Sequence, residues 1–397
     1  MSKIINLREI AEIKNGFAFK SKDFCEEGIP IVKIKNITPP KISIDDAQYV
    51  SKEIYEDTKQ YELNYNDILI SMTGSGVNQM SSAVGKVGRV RYKNKSLQNQ
   101  RVGKVIVKDE SRYNVDFLYY YLSMNKTLEY FVMNSSGSAN QANISKDIIE
   151  RLEVPDFDIL DQNRIANILL SLDNKVENNN AIIANLEEQA LTIFKSWFVN
   201  FEPYQNEEFV DSELGVIPKD LQIKQLSELF EIKYGKNLPT KKLEEKGYPV
   251  FGGNGQIGFY HEYLYEESKL LISCRGAASG KIVVSLPYSF ITNNSLIMNE
   301  FKRSYFHYYR YLFNTIEFEN YATGSAQPQI TITNIKDLKV YVPNESMINK
   351  FNMILTPIFD TQINLQKENG KLVELRDTLL PKLMSGEIQV EEALEAK

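Results

Sequence analysis

The stretch LREIAEIKNG occupies residues 7–16, and a second version of it, LSELFEIKYG, occupies residues 226–235. Each copy is followed by a Gly-x-Pro turn and then by a similar apolar run, DILISMTG at residues 67–74 and KLLISCRG at residues 269–276. Because these segments recur in the same order, the chain is interpreted as a tandem duplication. The period of about 190 residues corresponds to a whole domain plus a helix, which excludes a short-repeat solenoid.

The repeat continues through each half of the chain. The offset between the copies falls from about 219 to about 187 residues, as insertions in loops would produce. The further matching segments are VGKVGRV from Val84 with SGKIVVS from Ser279, Gln98–Gln100 with Thr292–Asn294, FLYYYL at 117–122 with HYYRYL at 307–312, Gly137-Ser138-Ala139 with Gly324-Ser325-Ala326, and Val154-Pro155 with Val342-Pro343.

Two kinds of segment, distinguished by composition and by the spacing of apolar residues, alternate along the chain. Short β-branched and aromatic runs separated by Gly and Pro, such as IPIVKIKNI and GKVIVKD, predict a mainly β domain in each half. A few helices are expected within these domains, one of them FLYYYLSMNKTLEYFVMN at residues 117–134. From Asp156 to Glu202 there is neither Gly nor Pro, and apolar residues recur at spacings of 4 and 3, which is typical of a coiled-coil helix.

Both copies carry this helical stripe, and each helix of about 38 residues is expected to be about 57 Å long. The two stripes are predicted to pack together, antiparallel, and to hold the β domains apart; linker or dimerisation helices are the alternative. In the second helix, polar Gln362, Asn369 and Arg376 occupy seam positions, and Pro357 and Gly370 predict a kink or short break. The predicted packing residues are Ile165, Leu169, Leu172, Val176, Ile183, Leu186, Ile193 and Trp197 in the first helix, with Ala190 and a polar Asn179, and Phe351, Leu355, Ile358, Leu365, Leu372, Leu379 and Leu383 in the second.

The predicted fold class is therefore α+β, with two mainly β domains in a pseudo-twofold tandem repeat and two long antiparallel coiled-coil-like helices. The predicted segments are a first domain at 1–155, a first long helix at 156–202, a linker and second domain at 203–343, and a second long helix with a C-terminal tail at 344–397.

Composition favours a soluble protein of a reducing compartment. No apolar run reaches the ~18–20 residues needed to cross a bilayer, and the N-terminus turns polar too early for a signal peptide. Cys25 and Cys274 are too few for a disulfide framework or a cysteine zinc site, which predicts the cytoplasm.

The net charge of −6 is unevenly distributed. Residues 156–210 contain 3 Lys or Arg against 10 Asp or Glu, whereas residues 1–155 contain 22 against 19 and residues 211–343 contain 15 against 14. The two mildly basic segments permit contact with DNA, and the acidic segment suits a protein partner.

No catalytic, metal or cofactor site is predicted from the sequence. The two histidines, His261 and His307, lie among tyrosines without further ligands at metal-binding spacing. The segment Gly276–Lys281 has one residue too few between its glycines for a phosphate loop, and Ile282 stands where Ser or Thr would hold Mg²⁺. The sequence also lacks an Asn/Asp-Pro-Pro-Tyr/Phe methyltransferase motif and a Gly-x-Ser-x-Gly elbow.

The polar loops that match between the halves carry the chemistry of DNA recognition, because cations bind phosphates while amide and guanidinium groups read base edges. The alternative is a purely structural role, in which their Asn, Gln, Ser and Gly residues only form turns. The cluster Gln98–Arg101 and the segment SSGSANQAN at 135–143 are the densest groups. The predicted DNA-binding residues are Lys14, Lys20, Lys22, Lys33, Lys35, Asn36, Arg89, Arg91, Gln98, Asn99, Gln100, Arg101, Ser138 and Gln141 in the first half, and Lys233, Tyr234, Lys236, Lys241, Lys242, Asn254, Gln256, Ser273, Arg275, Lys281, Asn293, Asn294, Gln327 and Gln329 in the second.

In several of its motifs the chain resembles the specificity subunits of type I restriction-modification systems. The resemblance covers essentially the whole chain and rests on both copies of the opening motif, on LLISCRG with SGKI, and on the bridging SELGVIPKDLQI. The most specific segments are the helix ending in FKSWFVNFEP and the closing LLPKLMSGEIQV.

The resemblance implies two target-recognition domains that each read half of a bipartite site on double-stranded DNA, with the paired helices fixing the gap. It implies two modification subunits that transfer methyl groups from S-adenosylmethionine to adenine, and restriction subunits that use ATP and Mg²⁺, so the cofactors would belong to partners. Pro357 is a departure within a spacer helix, and base-reading residues vary too widely in this family to be carried over individually.

Two other functions stay open from the residues alone. A divergent, self-sufficient DNA methyltransferase or nuclease would bind S-adenosylmethionine or modify DNA by itself. A protein-interaction scaffold would not bind DNA directly, and the assembled complex would then lack salt-sensitive DNA binding.

Overall fold

A computed structural model describes residues 3–76, 84–138, 141–324 and 328–388. The chain forms two compact units, one made of the described residues up to Glu177 together with those from Asn369 onward, the other of Asn178–Glu368. The boundaries lie inside the two long helices, so each unit contains a segment of both. This division differs from the sequence-based segments, which set each helix apart as a whole.

The first unit is built on a mixed sheet of six strands in the order β2-β12-β8-β10-β6-β5, with smaller sheets β11-β4-β7-β3, β13-β14-β9 and β1-β15. Its strands are β1 (Lys3–Asn6), β2 (Ala11–Asn15), β3 (Phe24–Cys25), β4 (Ile29–Val32), β5 (Ile37–Thr38), β6 (Lys41–Ile42), β7 (Gln48–Val50), β8 (Ile68–Ser71), β9 (Thr73–Gly74), β10 (Val87–Arg89), β11 (Leu97–Gln98), β12 (Val102–Val107), β13 (Ser136–Ser138), β14 (Gln141–Asn143) and β15 (Glu153–Asp156). Its helices are α1 (Leu7–Ile10), α2 (Lys52–Thr58), α3 (Val115–Leu122), α4 (Asn125–Met133) and α5 (Lys146–Glu150), followed by the long helix α6 (Ile159–Phe198).

The second unit repeats the centre of this arrangement with a sheet in the order β19-β25-β22-β23 and smaller sheets β21-β20-β24, β18-β26 and β16-β17. Its strands are β16 (Phe209–Ser212), β17 (Gly215–Pro218), β18 (Gln222–Gln225), β19 (Phe230–Tyr234), β20 (Tyr248–Gly252), β21 (Gly255–Tyr260), β22 (Leu270–Ser273), β23 (Ile282–Val284), β24 (Phe290–Ile291), β25 (Ser295–Glu300) and β26 (Lys339–Val342). Its helices are α7 (Leu226–Leu229), α8 (Phe306–Phe313), α9 (Ile332–Ile335) and the long helix α10 (Glu345–Ser385).

The sequence repeat reappears as a repeat of strand pairing. β8 and β22 are each buried along their whole length at the centre of a sheet, as their apolar sequences ILIS and LLIS require. Each unit also closes by pairing its entry and exit strands, β1 with β15 and β18 with β26. A tyrosine hydroxyl hydrogen-bonds to the end of each unit's last strand. Tyr113 donates to the Pro155 carbonyl at 2.9 Å, and Tyr305 donates to the Pro343 carbonyl at 3.0 Å.

The long helices are part of the two hydrophobic cores. In the first unit, Leu169 and Leu172 of α6 and Leu383 of α10 belong to the same buried cluster as the sheet and α3. In the second unit, the fully buried Phe198 packs its ring against Tyr308 at 4.9 Å and against Phe351 at 5.0 Å. All the predicted packing positions are buried or half-buried. Phe194 and Phe198 were not among the predicted packing residues; each directly follows one of them, Ile193 or Trp197, and packs in the core of the second unit.

The helix segments run antiparallel within each unit, and polar pairs set their register. In the first unit, the Arg376 guanidinium donates to Asp173 at 2.8 Å. In the second unit, the fully buried Asn179 amide donates to Glu368 at 2.7 Å, and the Gln362 amide donates to Glu187 at 3.0 Å. Because a buried polar group without its partner costs roughly 1–3 kcal/mol, these pairs disfavour any shifted register.

Two long segments differ from what the sequence predicts. α10 is helical at every residue from Glu345 to Ser385, so of the kink or short break expected at Pro357 and Gly370 the break does not occur. The segment at 117–134 forms two helices, because the chain turns at Ser123 and Met124 between α3 and α4. A side-chain bond from the Ser123 hydroxyl to the Tyr119 carbonyl at 2.7 Å accompanies the end of α3.

Gly235 is required by close packing of the backbone. A Cβ atom at this position would lie 2.2 Å from the Thr292 carbonyl oxygen, so we expect Gly235→Ala to destabilise the second unit by about 3 kcal/mol. Trp197, the only tryptophan in the sequence, lies in this unit, and its fluorescence during urea unfolding measures the effect.

Gly370→Ala is the matched control, since a Cβ atom there would meet no other atom within 4 Å and the helix should gain about 0.5–1 kcal/mol. Equal unfolding midpoints for Gly235→Ala and the wild type would contradict this account of the repeat.

Candidate nucleic-acid interface

Each unit presents a β-turn with exposed polar residues at an equivalent place. In the first unit the Val102 N–H donates to the Asn99 carbonyl at 3.0 Å, which places Gln100 and Arg101 at the centre of the turn. In the second unit the Ser295 N–H donates to the Thr292 carbonyl at 3.2 Å, with Asn293 and Asn294 at the centre. We call these the first and second reading turns.

Backbone hydrogen bonds to neighbouring segments hold the two reading turns in the same way. The N–H of Gln100 donates to Phe17 at 2.9 Å, and the N–H of Asn293 donates to Lys236 at 3.1 Å. The carbonyl of Arg101 accepts from Met72 at 2.9 Å, as that of Asn294 accepts from Cys274 at 3.0 Å. Arg101 is therefore the structural counterpart of Asn294. The sequence repeat had paired Asn294 with Gln100, one residue earlier in the chain.

The backbone ladder continues from each turn into a further polar strand. Met72 accepts from the Ile144 N–H at 3.0 Å, and Cys274 accepts from the Ile330 N–H at 3.1 Å. As a result, Asn143 pairs with Thr73 beside the first turn, on the strand β14 that begins at Gln141, and Gln329 pairs with Arg275 beside the second. We call each reading turn with these neighbours a recognition face.

Cationic groups lie beside both recognition faces. Lys14 and Lys233 occupy equivalent exposed positions two residues before Gly16 and Gly235, and each ammonium pairs with a glutamate of the same strand, Lys14 with Glu12 at 3.3 Å and Lys233 with Glu231 at 2.8 Å. This pairing raises the pKa of Lys233, so its ammonium stays charged. Lys281 donates to the Asn254 amide oxygen at 2.6 Å. Among the described residues, the guanidinium groups of Arg101 and Arg275 have no carboxylate within ion-pair distance.

Five predicted DNA-binding side chains are instead buried in the domains. The Gln98 amide donates to the carbonyls of Lys14 and Val102 at 2.8 and 2.7 Å, so it braces the base of the first reading turn. Arg89 lies over the Tyr119 ring and pairs with Asp116 at 2.8 Å. The five are Asn36, Arg89, Gln98, Asn99 and Ser273. Because their polar groups are withdrawn from solvent, the proposal of DNA contact is not kept for them.

Arg91 has a structural partner on the first long helix. Its guanidinium donates to both carboxylate oxygens of Glu177 at 3.1 and 2.8 Å and to the amide oxygens of Asn66 and Asn174. The hydrogen bond with Glu177 raises the Arg91 pKa. This bidentate pair fastens the sheet to the helix within the first unit, and it is a correction to the predicted role in DNA contact.

The remaining predicted residues lie outside the two recognition faces, Tyr234 and Gln256 on strands β19 and β21 and the others on turns and short 3₁₀ segments. Half-buried Lys33 lies over the Phe24 ring at 4.1 Å, and burial together with nearby Lys35 lowers its pKa. The others with exposed side chains are Lys20, Lys22, Lys35, Tyr234, Lys241, Lys242 and Gln256, with Lys236 next to the second reading turn. Gln327 and the side chain of Ser138 lie outside the described residues.

The two histidines have ordinary packing and surface environments. His261 is exposed and shares a hydrogen bond with Glu244 at 2.6 Å. His307 packs its ring against Phe359 at 5.1 Å, and burial beside Arg310 and Arg303 lowers its pKa to about 4. Within the described part of the chain, no group of three or more His, Cys, Asp or Glu residues is arranged to hold a metal ion.

Comparisons with known proteins identify the family of this chain. The sequence profile of the type I restriction modification DNA specificity domain matches residues 2–188 and 218–375, so the chain belongs to this family. The MjaIX type I restriction enzyme specificity subunit of Methanocaldococcus jannaschii is 29% identical over 334 residues, covering 76% of this chain and 74% of the relative. The putative MjaX specificity subunit of the same organism is 25% identical over 410 residues, covering 98% and 94%.

A solved structure extends the similarity to the fold. The type I restriction-modification S subunit from M. genitalium superposes with a TM-score of 0.57 at 21% identity, covering 96% of this chain and 95% of that one. The predicted α+β fold with two tandem domains and long antiparallel helices is thereby confirmed. Among the described residues, none of the helices has the length and apolarity needed to cross a membrane.

The shielded imidazole of His307 makes stability depend on pH. Its folded pKa of about 4 lies below the usual 6.5, so between these values the unfolded chain binds a proton that the folded chain excludes. Stability is complete above pH 6.5 and falls as the pH drops toward 4, and we expect a loss of about 2 kcal/mol between pH 7.5 and 5 from this group. Urea unfolding followed by Trp197 fluorescence measures the slope.

His307→Gln should flatten this slope. Identical pH slopes for His307→Gln and the wild type would show that another group titrates.

Proposed function

We propose that this chain is the sequence-specific DNA-binding subunit of a type I restriction-modification complex, and that each unit recognises one half of a bipartite site. The observation that carries the proposal is the repetition of one polar turn on one scaffold. Two equivalent turns, each held by backbone bonds to neighbouring segments, present amide or guanidinium groups to solvent. Such groups suit base edges in the major groove.

The cations around the turns support binding to the DNA backbone. Lys14, Lys233 and Lys236 are exposed beside the turns, where they can contact phosphates without selecting a base. The exposed guanidinium of Arg275, which has no carboxylate partner among the described residues, adds a further cation beside the second turn. Since two units of this kind stand in one chain, we propose two half-sites, with the gap between them set by the lengths of α6 and α10.

The long helices are proposed as the binding surface for two modification subunits, which the restriction subunits join. The segment 156–210 is acidic, which disfavours phosphate contact. Apolar side chains also face solvent on the long helices, including Ile182 on α6 and Met353 on α10, which are 46% and 80% exposed. Exposed apolar groups beside acidic ones favour a protein partner over DNA.

In this proposal the chain selects the site and has no catalytic centre of its own. S-adenosylmethionine would bind to the modification subunits, and ATP with Mg²⁺ to the restriction subunits, in the cytoplasm. The alternative is that the chain is a self-sufficient, divergent methyltransferase, which would bind S-adenosylmethionine without partners. Calorimetric titration of the purified chain with S-adenosylmethionine tests this alternative.

An exchange of domains tests the assignment of half-sites. A hybrid that carries residues 1–155 from a family member with a different target should methylate a site in which only one half has changed. Sequencing of methylated bases in a host that also expresses the modification subunits shows both halves at once. A hybrid that keeps both original half-sites would overturn the proposal.

A phosphate contact should weaken binding to every sequence alike. Lys236→Ala should reduce affinity for specific and random duplexes by a similar factor and lower the slope of log affinity against log salt by about 1. Lys52→Ala, at an exposed position on α2, is the control and should change neither quantity. Measurement needs the assembled complex over a range of salt concentrations, and an unchanged slope for Lys236→Ala would contradict the contact.

A further inference from the structure

The two reading turns share a backbone but differ in both central side chains, and the difference at the second central position, Arg101 against Asn294, has a consequence for the DNA sequence. Arg101 and Asn294 are both the second central residue of their turn, and both carbonyls accept a backbone hydrogen bond from the adjoining segment. We propose that Arg101 specifies a guanine in the first half-site and Asn294 specifies an adenine in the second. This inference rests on the proposed DNA-binding function.

The flanking residues make the turns rigid supports. In the first turn, Asn99 and Val102 on either side of the central pair are 9% and 0% exposed. In the second, Thr292 and Ser295 are 2% and 0% exposed. Only the central residues of each turn reach solvent, so their side chains extend from a fixed backbone. A fixed support lowers the entropy lost when a side chain is ordered against a base.

The chemistry of the two side chains selects different bases. A guanidinium donates two parallel hydrogen bonds to O6 and N7 of guanine, whereas an asparagine amide donates to N7 and accepts from N6 of adenine. Arg101 is exposed, and among the described residues no carboxylate neutralises it. Asn294 is also exposed, and the structure gives its side-chain amide no hydrogen-bond partner among the described residues. Both groups are therefore available to a ligand.

The lysines near the turns separate base reading from phosphate binding. Lys14 and Lys233 occupy equivalent positions and are the same residue type in both units, as expected of a contact with the sequence-independent backbone. Arg101 and Asn294 occupy equivalent positions and differ, as expected of a contact that distinguishes two half-sites. The same scaffold thus carries a lysine that is the same in both units and, at the second central position of the turn, a side chain that differs.

Reciprocal exchange at the equivalent position tests the assignment. The full chain, assembled with its modification subunits, selects from a pool of random DNA duplexes, and sequencing of the bound pool gives the base preference at every position. Arg101→Asn should convert one guanine preference in the first half-site to adenine, and Asn294→Arg should convert one adenine preference in the second to guanine. Each exchange should change the relative binding of the two bases by roughly tenfold or more.

Internal controls make each outcome decisive. In each variant the other half-site should keep its preference, which shows that the chain is folded and assembled, and Arg112→Asn, at an exposed position outside the recognition faces, should change neither half. If the wild type selects no bipartite sequence, the proposed function itself fails. If the wild type selects one but Arg101→Asn weakens all sequences equally, or changes no position, Arg101 binds phosphate or nothing and the inference is overturned.

Discussion

Burial of one face of each long helix in the domain cores is the constraint on which the rest of the structure depends. Phe194 and Phe198 of α6 and Phe351 of α10 are fully buried among the aromatic side chains of the second unit, and Leu169 and Leu383 are buried in the first. Removing even one of these aromatic side chains would cost about 3–5 kcal/mol. The helices are consequently core elements of the units that they enter.

Register follows from a different kind of interaction. Apolar packing tolerates a shift by one heptad, whereas the pairs Asn179–Glu368, Gln362–Glu187 and Arg376–Asp173 do not, because each shift leaves a shielded polar group without its partner. Gln362 and Arg376, two of the polar residues that weaken the apolar stripe of α10, therefore help to define its alignment with α6 inside each unit. The apolar positions thus stabilise the helix pair, and the polar positions determine its register.

The duplicated backbone also explains how one scaffold can present two different sets of exposed side chains. The hydrogen bonds that hold the reading turns run between backbone atoms, so they survive any exchange of exposed side chains. Gly16 and Gly235 are retained in both copies because a Cβ atom would meet a carbonyl oxygen at 2.2 Å in each case. Packing thus constrains the glycine, while the side chains at positions 101 and 294 are free to differ.

Much of this architecture is determined by the sequence alone. The repeat of LREIAEIKNG, the apolar runs around Leu69 and Leu271, and the unbroken stripe after Asp156 predict two similar β-rich domains and two long helices, because periodicity is a local property of the chain. Tertiary structure alone decided which of the candidate polar residues are exposed and which are buried. Arg89 and Gln98 are the same residue types as Arg101 and Gln100, and the sequence gives no reason to separate them. In the structure, however, Arg89 contacts Asp116 and Tyr119, and Gln98 donates to backbone carbonyls. Exposure depends on these long-range contacts, which residue type and spacing do not encode.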